Sequence, residues 1–129
     1  MMPTMPPSEA PRRKILVVDN EQDIIDILQE NLATTYDVTS ARDGKRALEL
    51  VRVTRPDLIF LSIAMPGIDG MDVLKAVKQL DPTIPVIAIT ANTDTSLAAE
   101  DLKHGAFSYF PKPFDLRYLD HLAATALSR

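Results

Sequence analysis

Five short apolar runs, each followed by a segment of helical periodicity, constrain this chain more than any other feature of it. Ile15–Val18, Leu58–Leu61 and Val86–Thr90 are continuous or nearly continuous apolar stretches of the kind found in strands buried on both faces. Tyr36–Ser40 and Phe107–Phe110 are two further short strands of the same series. Between them lie segments with helical spacing. Ile24, Ile25, Ile27, Leu28 and Leu32 mark a helix over 21–33. Ala47, Leu48, Leu50 and Val51 mark a second, which Asp43 can cap. Val73, Leu74 and Val77 mark a third. Residues 94–104 form a fourth, thinner in apolar content, with Gly105 as its C-terminal glycine. Residues 115–127 form a closing helix with Leu116, Leu119, Leu122, Ala123 and Ala126 turned inward. The connections fit only crossovers, so the expected product is α/β: a parallel five-stranded sheet with helices on both faces.

The chain has 129 residues, enough for one core without metal or disulfide support. It contains no Cys, which excludes a disulfide framework, a cysteine zinc site and a thiol nucleophile. Its formal charge of −4 argues against direct nucleic-acid binding by this segment. No apolar run is long enough for a membrane span, and the N-terminus has no signal-like apolar region, so the expected compartment is the cytoplasm. Residues 1–13 hold four of the ten prolines and no apolar periodicity. They are expected to be a disordered, Pro-rich tail, with the folded domain spanning 14–129.

In a parallel sheet of this kind, ligands bind outside the carboxyl ends of the strands. Asp19, Asn20 and Glu21 follow the first apolar run, and Ser62 follows the third. Thr90 ends the fourth, and Lys112 follows the fifth. Carboxylate, hydroxyl and ammonium groups on one edge are suited to a divalent cation and a phosphoryl group. No Gly-rich phosphate loop follows the first run, which counts against a flavodoxin-like small-molecule binder.

Four segments carry a family resemblance: Ile15-Leu-Val-Val-Asp-Asn-Glu21, Pro56-Asp-Leu-Ile-Phe-Leu-Ser-Ile-Ala-Met-Pro-Gly-Ile-Asp-Gly70, Pro85-Val-Ile-Ala-Ile-Thr-Ala91 and Gly105-Ala-Phe-Ser-Tyr-Phe-Pro-Lys-Pro-Phe114. Together they resemble the receiver domain of bacterial two-component response regulators. The resemblance implies a flavodoxin-like (βα)5 three-layer sandwich with strand order 2-1-3-4-5. It also implies a phosphorelay role with a histidine kinase as partner. An output domain or partner would be contacted through the face made by the fourth helix, the fifth strand and the fifth helix.

Residue by residue, the resemblance makes Asp19 and Asn20 the metal-holding pair and Ala64 the donor of a metal-binding carbonyl. Thr90 and Lys112 would grip phosphoryl oxygens, and Thr90 with Tyr109 would form the switch. The position of the phosphoaccepting aspartate is held by Ser62. An un-ionised hydroxyl needs an adjacent base to act as nucleophile. The protonated Lys112 and the metal-binding Asp19 are poor candidates for that base. Asn20 is a milder departure, since an amide oxygen can still bind a hard cation. The expectation is a receiver that binds Mg²⁺ weakly and works by contact rather than by phosphorylation. The alternative is a conventional Mg²⁺-dependent switch whose aspartate has been replaced, or one in which Ser62 is an unusual acceptor. Lys112 also has a simpler role open to it, as the counter-charge to Asp19.

Overall fold

The structure is a computed structural model that describes residues 12–63, 70–90, 102–103, 105–111 and 115–128. Its strands are β1 (Lys14–Val18), β2 (Asp37–Ala41), β3 (Leu58–Ser62), β4 (Val86–Thr90) and β5 (Ser108–Pro111). Its helices are α1 (Gln22–Leu32), α2 (Gly44–Thr54), α3 (Gly70–Leu80) and α4 (Leu116–Leu127), the last being the expected closing helix. The strands form one parallel sheet in the order β2-β1-β3-β4-β5.

The apolar runs are continuous because both faces of the sheet are covered. Every residue of β3 and β4 is buried. Alternate strand residues feed two separate cores, as the two-residue repeat of a strand requires. On one face Ile15, Val17, Leu58, Phe60, Ile87, Ile89 and Phe110 pack with Ile25, Leu28 and Leu32 of α1 and with the inner side of α4. On the other face Leu16, Val18, Ile59, Leu61, Val86 and Ala88 meet Ala47 and Val51 of α2 and Val73, Leu74 and Val77 of α3. Strand β2 is an edge and reads Asp-Val-Thr-Ser-Ala, with only Ala41 buried.

Local chemistry sets the helix ends. The Asp43 carboxylate accepts the Arg46 N–H at 2.8 Å, capping α2 as expected. Asp115 does the same for α4, accepting the Arg117 N–H at 3.0 Å. Gly105 has φ +110°, a left-handed conformation that suits glycine. The expected helix over 94–104 lies outside the described residues apart from Leu102 and Lys103, as do residues 1–11 of the expected 1–13 tail; its last two residues, Arg12 and Arg13, donate to the Ala33 and Leu127 carbonyls at 2.6 and 3.3 Å.

Three expectations need correction. Leu116 is 39 % exposed rather than turned inward. It is the first residue of α4, and it shares a shallow groove with Ile27, Glu30 and Asn31 of α1 instead of reaching the sheet. Strands β2 and β5 each begin one residue later than their apolar content suggests, leaving Tyr36 and Phe107 as partly buried flanks packed on the core. Tyr36 is held outside the ladder because its N–H bonds back to the Leu32 carbonyl at 2.8 Å.

Candidate functional site at the carboxyl edge of the sheet

Strand order reverses between β1 and β3, since β1 connects to β2 on one side and the chain then crosses to β3 on the other. That switch point opens a crevice at the carboxyl ends of the two strands. Among the described residues three polar side chains are buried: Asp19 at 0 %, Ser62 at 3 % and Thr90 at 6 % exposure. All three stand at this edge, on β1, β3 and β4 or just beyond them. Burying polar groups is costly. Three of them gathered at one edge of an otherwise apolar interior mark a built site.

The register shows how they meet. Val17 pairs with Phe60 and Val18 with Leu61. One step further, Asp19 and Ser62 stand side by side on adjacent strands. By strand alternation both belong to the face whose core holds Val17 and Phe60. Ser62 pairs in turn with Ile89, and Thr90 follows it at the end of β4.

Asp19 is anchored twice. Its N–H donates to the Ala41 carbonyl at 3.1 Å, and its Oδ1 accepts the Glu21 N–H at 2.9 Å. This side-chain turn lifts the chain out of β1 into α1. Glu21 stands immediately before α1. It occupies the N-cap position, but its side chain makes no capping hydrogen bond. Its carbonyl instead accepts the N–H groups of Ile24 and Ile25. Asn20 is half-buried, and its carbonyl accepts from the Arg42 guanidinium at 3.1 Å, tying this loop to the start of α2.

Ser62 is fixed from behind. The Ile63 N–H donates to the Ile89 carbonyl at 3.3 Å, and the Gly70 N–H donates to the Ile63 carbonyl at 3.2 Å. A Cβ on Gly70 would overlap the Ser62 carbonyl oxygen and lie 2.5 Å from Ile63 Cα. The first residue of α3 can approach this closely only as glycine. Nothing in the sequence pattern alone marked Gly70 as part of the site's frame, because the contact is between residues of different elements.

Tyr109 lies in β5 opposite Ala88 and is 40 % exposed. It stands on the sheet's outer strand rather than inside the crevice. Lys112 and Ala64, both expected at the site, lie outside the described residues. The structure therefore brings together Asp19, Asn20, Ser62 and Thr90 at the carboxyl edge. Among the described residues no group of three or more His, Cys, Asp or Glu side chains converges on a metal position. The donors to a hard cation are one buried carboxylate, a hydroxyl and an amide. One carboxylate is the fewest by which Mg²⁺ is ordinarily held, water or phosphate oxygens filling its other positions, so these residues are compatible with the ion.

A parallel sheet in the order 2-1-3-4-5, with a polar edge at its switch point, is the flavodoxin-like doubly wound architecture. Residues 15–124 match the model of the response regulator receiver domain, and the chain belongs to that family. It is 37% identical over 118 residues to the alkaline phosphatase synthesis transcriptional regulatory protein PhoP of Bacillus subtilis, covering 91% of this chain and 49% of that protein. It is 38% identical over 104 residues to sporulation initiation phosphotransferase F of the same species, covering 80% of this chain and 84% of that one. The DNA-binding transcriptional regulator NtrC of Escherichia coli is 37% identical over 115 residues, covering 88% of this chain and 24% of NtrC. The chain thus spans half or less of the length of PhoP and NtrC. Among solved structures, the receiver domain of NtrX from Brucella abortus superposes with a TM-score of 0.86 at 32% identity, covering 88% of this chain and 98% of that one. A relative named as DNA-binding gives no support to the expectation that nucleic acid is not a partner. Among the described residues, no helix is long and apolar enough to cross a membrane.

Proposed function

We propose that this receiver domain works as a phosphorylation-independent interaction module in two-component signalling. The observation that carries the reading is Ser62, buried at the end of β3 beside Asp19, where the family resemblance places the phosphoaccepting aspartate. An acyl phosphate requires a carboxylate nucleophile, and a hydroxyl here would need a base to ionise it. Asp19 has its Oδ1 committed to the Glu21 N–H, which leaves that oxygen poorly placed to serve as the base. By the family resemblance, Asn20, Ser62 and the Ala64 carbonyl would join Asp19 in a weak Mg²⁺ site, and Lys112 would supply its counter-charge. A histidine kinase or another two-component protein is the partner, in the cytoplasm. An output domain or partner is contacted through the face made by residues 94–104, β5 and α4.

The second reading is a conventional switch whose acceptor has been replaced. The position of Thr90, a buried residue at the end of β4, together with the half-exposed ring of Tyr109, favours it. One experiment separates the two. The purified domain and its Ser62→Asp variant are incubated with Mg²⁺ and acetyl phosphate, and intact masses are measured. The proposal expects one phosphoryl group on the variant and none on the parent. A phosphoryl group on the parent, mapped to Ser62, overturns it.

A further inference from the structure

At the opposite edge of the sheet, where the strands begin, a polar cavity of ≈ 530 Å³ is lined by Arg13, Arg55, Lys78, Asp57, Asp81 and Thr83. Its volume lies within the range of small-molecule sites. Three cations face two carboxylates, and most of these charges already have partners. Asp57 Oδ2 accepts the Lys14 N–H at 2.8 Å and lies 3.6 Å from Arg13 Nε. Arg13 also donates to the Leu127 carbonyl at 3.3 Å. Lys78 Nζ donates to the Ile84 carbonyl at 2.6 Å. Asp81 Oδ1 accepts from both the N–H and the hydroxyl of Thr83.

Arg55 is the exception. Among the described residues its guanidinium has neither a hydrogen bond nor an ion pair, and it acts on Asp81 only at longer range. Its backbone is also unusual. Arg55 ends α2 with φ 50° and ψ 66°, and it is the only non-glycine with positive φ among the described residues. Glycine adopts this left-handed C-terminal conformation without strain, and arginine does not. The backbone conformation therefore does not itself call for arginine here. The dipole of α2 is already met by Arg52 in its last turn. What the side chain adds is an uncommitted, always-charged fork at the rim of a cavity.

We propose that this cavity binds a small oxyanion, a phosphate or carboxylate group, with the Arg55 guanidinium as its principal ligand. Arg13, Lys78 and the backbone around Thr83 and Ile84 share its wall with the carboxylates of Asp57 and Asp81, which Lys14, Arg13 and Thr83 already engage. The inference is independent of what happens at Ser62, which lies at the other end of the strands.

The test is a titration of the isotopically labelled domain with orthophosphate, and separately with malonate, at constant ionic strength, followed by NMR. The expected result is saturable shifts confined to Arg55, Lys78, Thr83 and Ile84 with at least one of the two anions. The Arg55→Gly variant should weaken that binding at least tenfold while melting no lower than the parent, because glycine relieves the strained backbone. Malonate alone saturating would assign a carboxylate ligand, and orthophosphate alone a phosphate ligand. Shifts that fail to saturate, that centre on Asp19, Ser62 and Thr90, or that persist unchanged in Arg55→Gly would overturn the proposal.

Discussion

The Asp19 carboxylate accepts the backbone N–H of Glu21 at 2.9 Å, and through that bond a fully buried carboxyl side chain is fixed beside the end of β3. Its neighbour there is the hydroxyl residue Ser62 rather than a second carboxylate. The consequence is electrostatic. A crevice with one carboxylate can stand without a metal, whereas a crevice with two repels itself until a cation binds.

Ser62→Asp should therefore lower stability by about 1–3 kcal/mol in metal-free buffer, through like-charge repulsion with Asp19. Millimolar Mg²⁺ should restore most of the loss, because a ligand that binds only the folded state stabilises it. The parent should respond far less to Mg²⁺. Thermal melts of both proteins with and without Mg²⁺ check this, and equal responses would refute it.

Gly70→Ala tests the frame behind Ser62. The added methyl would meet the Ser62 carbonyl and Ile63 Cα, both backbone atoms that cannot step aside. We expect a loss of roughly 3 kcal/mol or more, as for severe overpacking. Urea unfolding measures it, and a change below about 1 kcal/mol would show that α3 can shift away from β3 at little cost.

Phe60 is fully buried and meets Phe110 edge-on, with ring centroids 6.4 Å apart. It ties the strand that carries Ser62 to the core shared with α1 and α4. Phe60→Ala should cost about 3–5 kcal/mol. Phe60→Leu should cost much less, and equilibrium denaturation of the pair gives both values.

Asp81 supplies a pH signature away from the crevice. The Thr83 hydroxyl, and then the Thr83 N–H, hold its carboxyl below the ordinary value of 3.8. A carboxyl whose folded pKa is depressed adds stability above its unfolded pKa, and that contribution is lost as pH falls through the folded value. Asp81→Asn should consequently melt lower than the parent at neutral pH. The two should converge once the pH has fallen through the depressed folded value, where the parent carboxyl is protonated as well. A gap that stays constant with pH would mean that the ionised carboxylate is not the source.

The class of fold was legible because buried strands have to be apolar on both faces. Ile15–Val18 and Val86–Thr90 stand out in the sequence, and both are strands with buried runs. Asp43 was equally readable, since a cap depends on a residue three positions away and on nothing distant. Leu116 was not. Its helical spacing matches that of Leu119, yet one faces a groove and the other the core. Periodicity fixes which residues share a helix face, but it does not say where the sheet beneath that helix ends.

The candidate site divides in the same way. By itself the sequence determined which residues follow the apolar runs, and so which side chains could stand at one edge: Asp19, Asn20, Ser62 and Thr90. Local order is enough for that, because each follows or ends its own strand. The tertiary structure decided which of them are adjacent and how deeply they sit. The register of β1 against β3 sets Asp19 beside Ser62, the approach of α3 demands Gly70, and helix packing buries the three polar groups. The same is true of the cavity at the other edge, where Arg13, Arg55 and Lys78 come from three distant parts of the chain. Proximity between such residues is a property of the assembled sheet, since no local preference of the chain encodes which strand lies next to which.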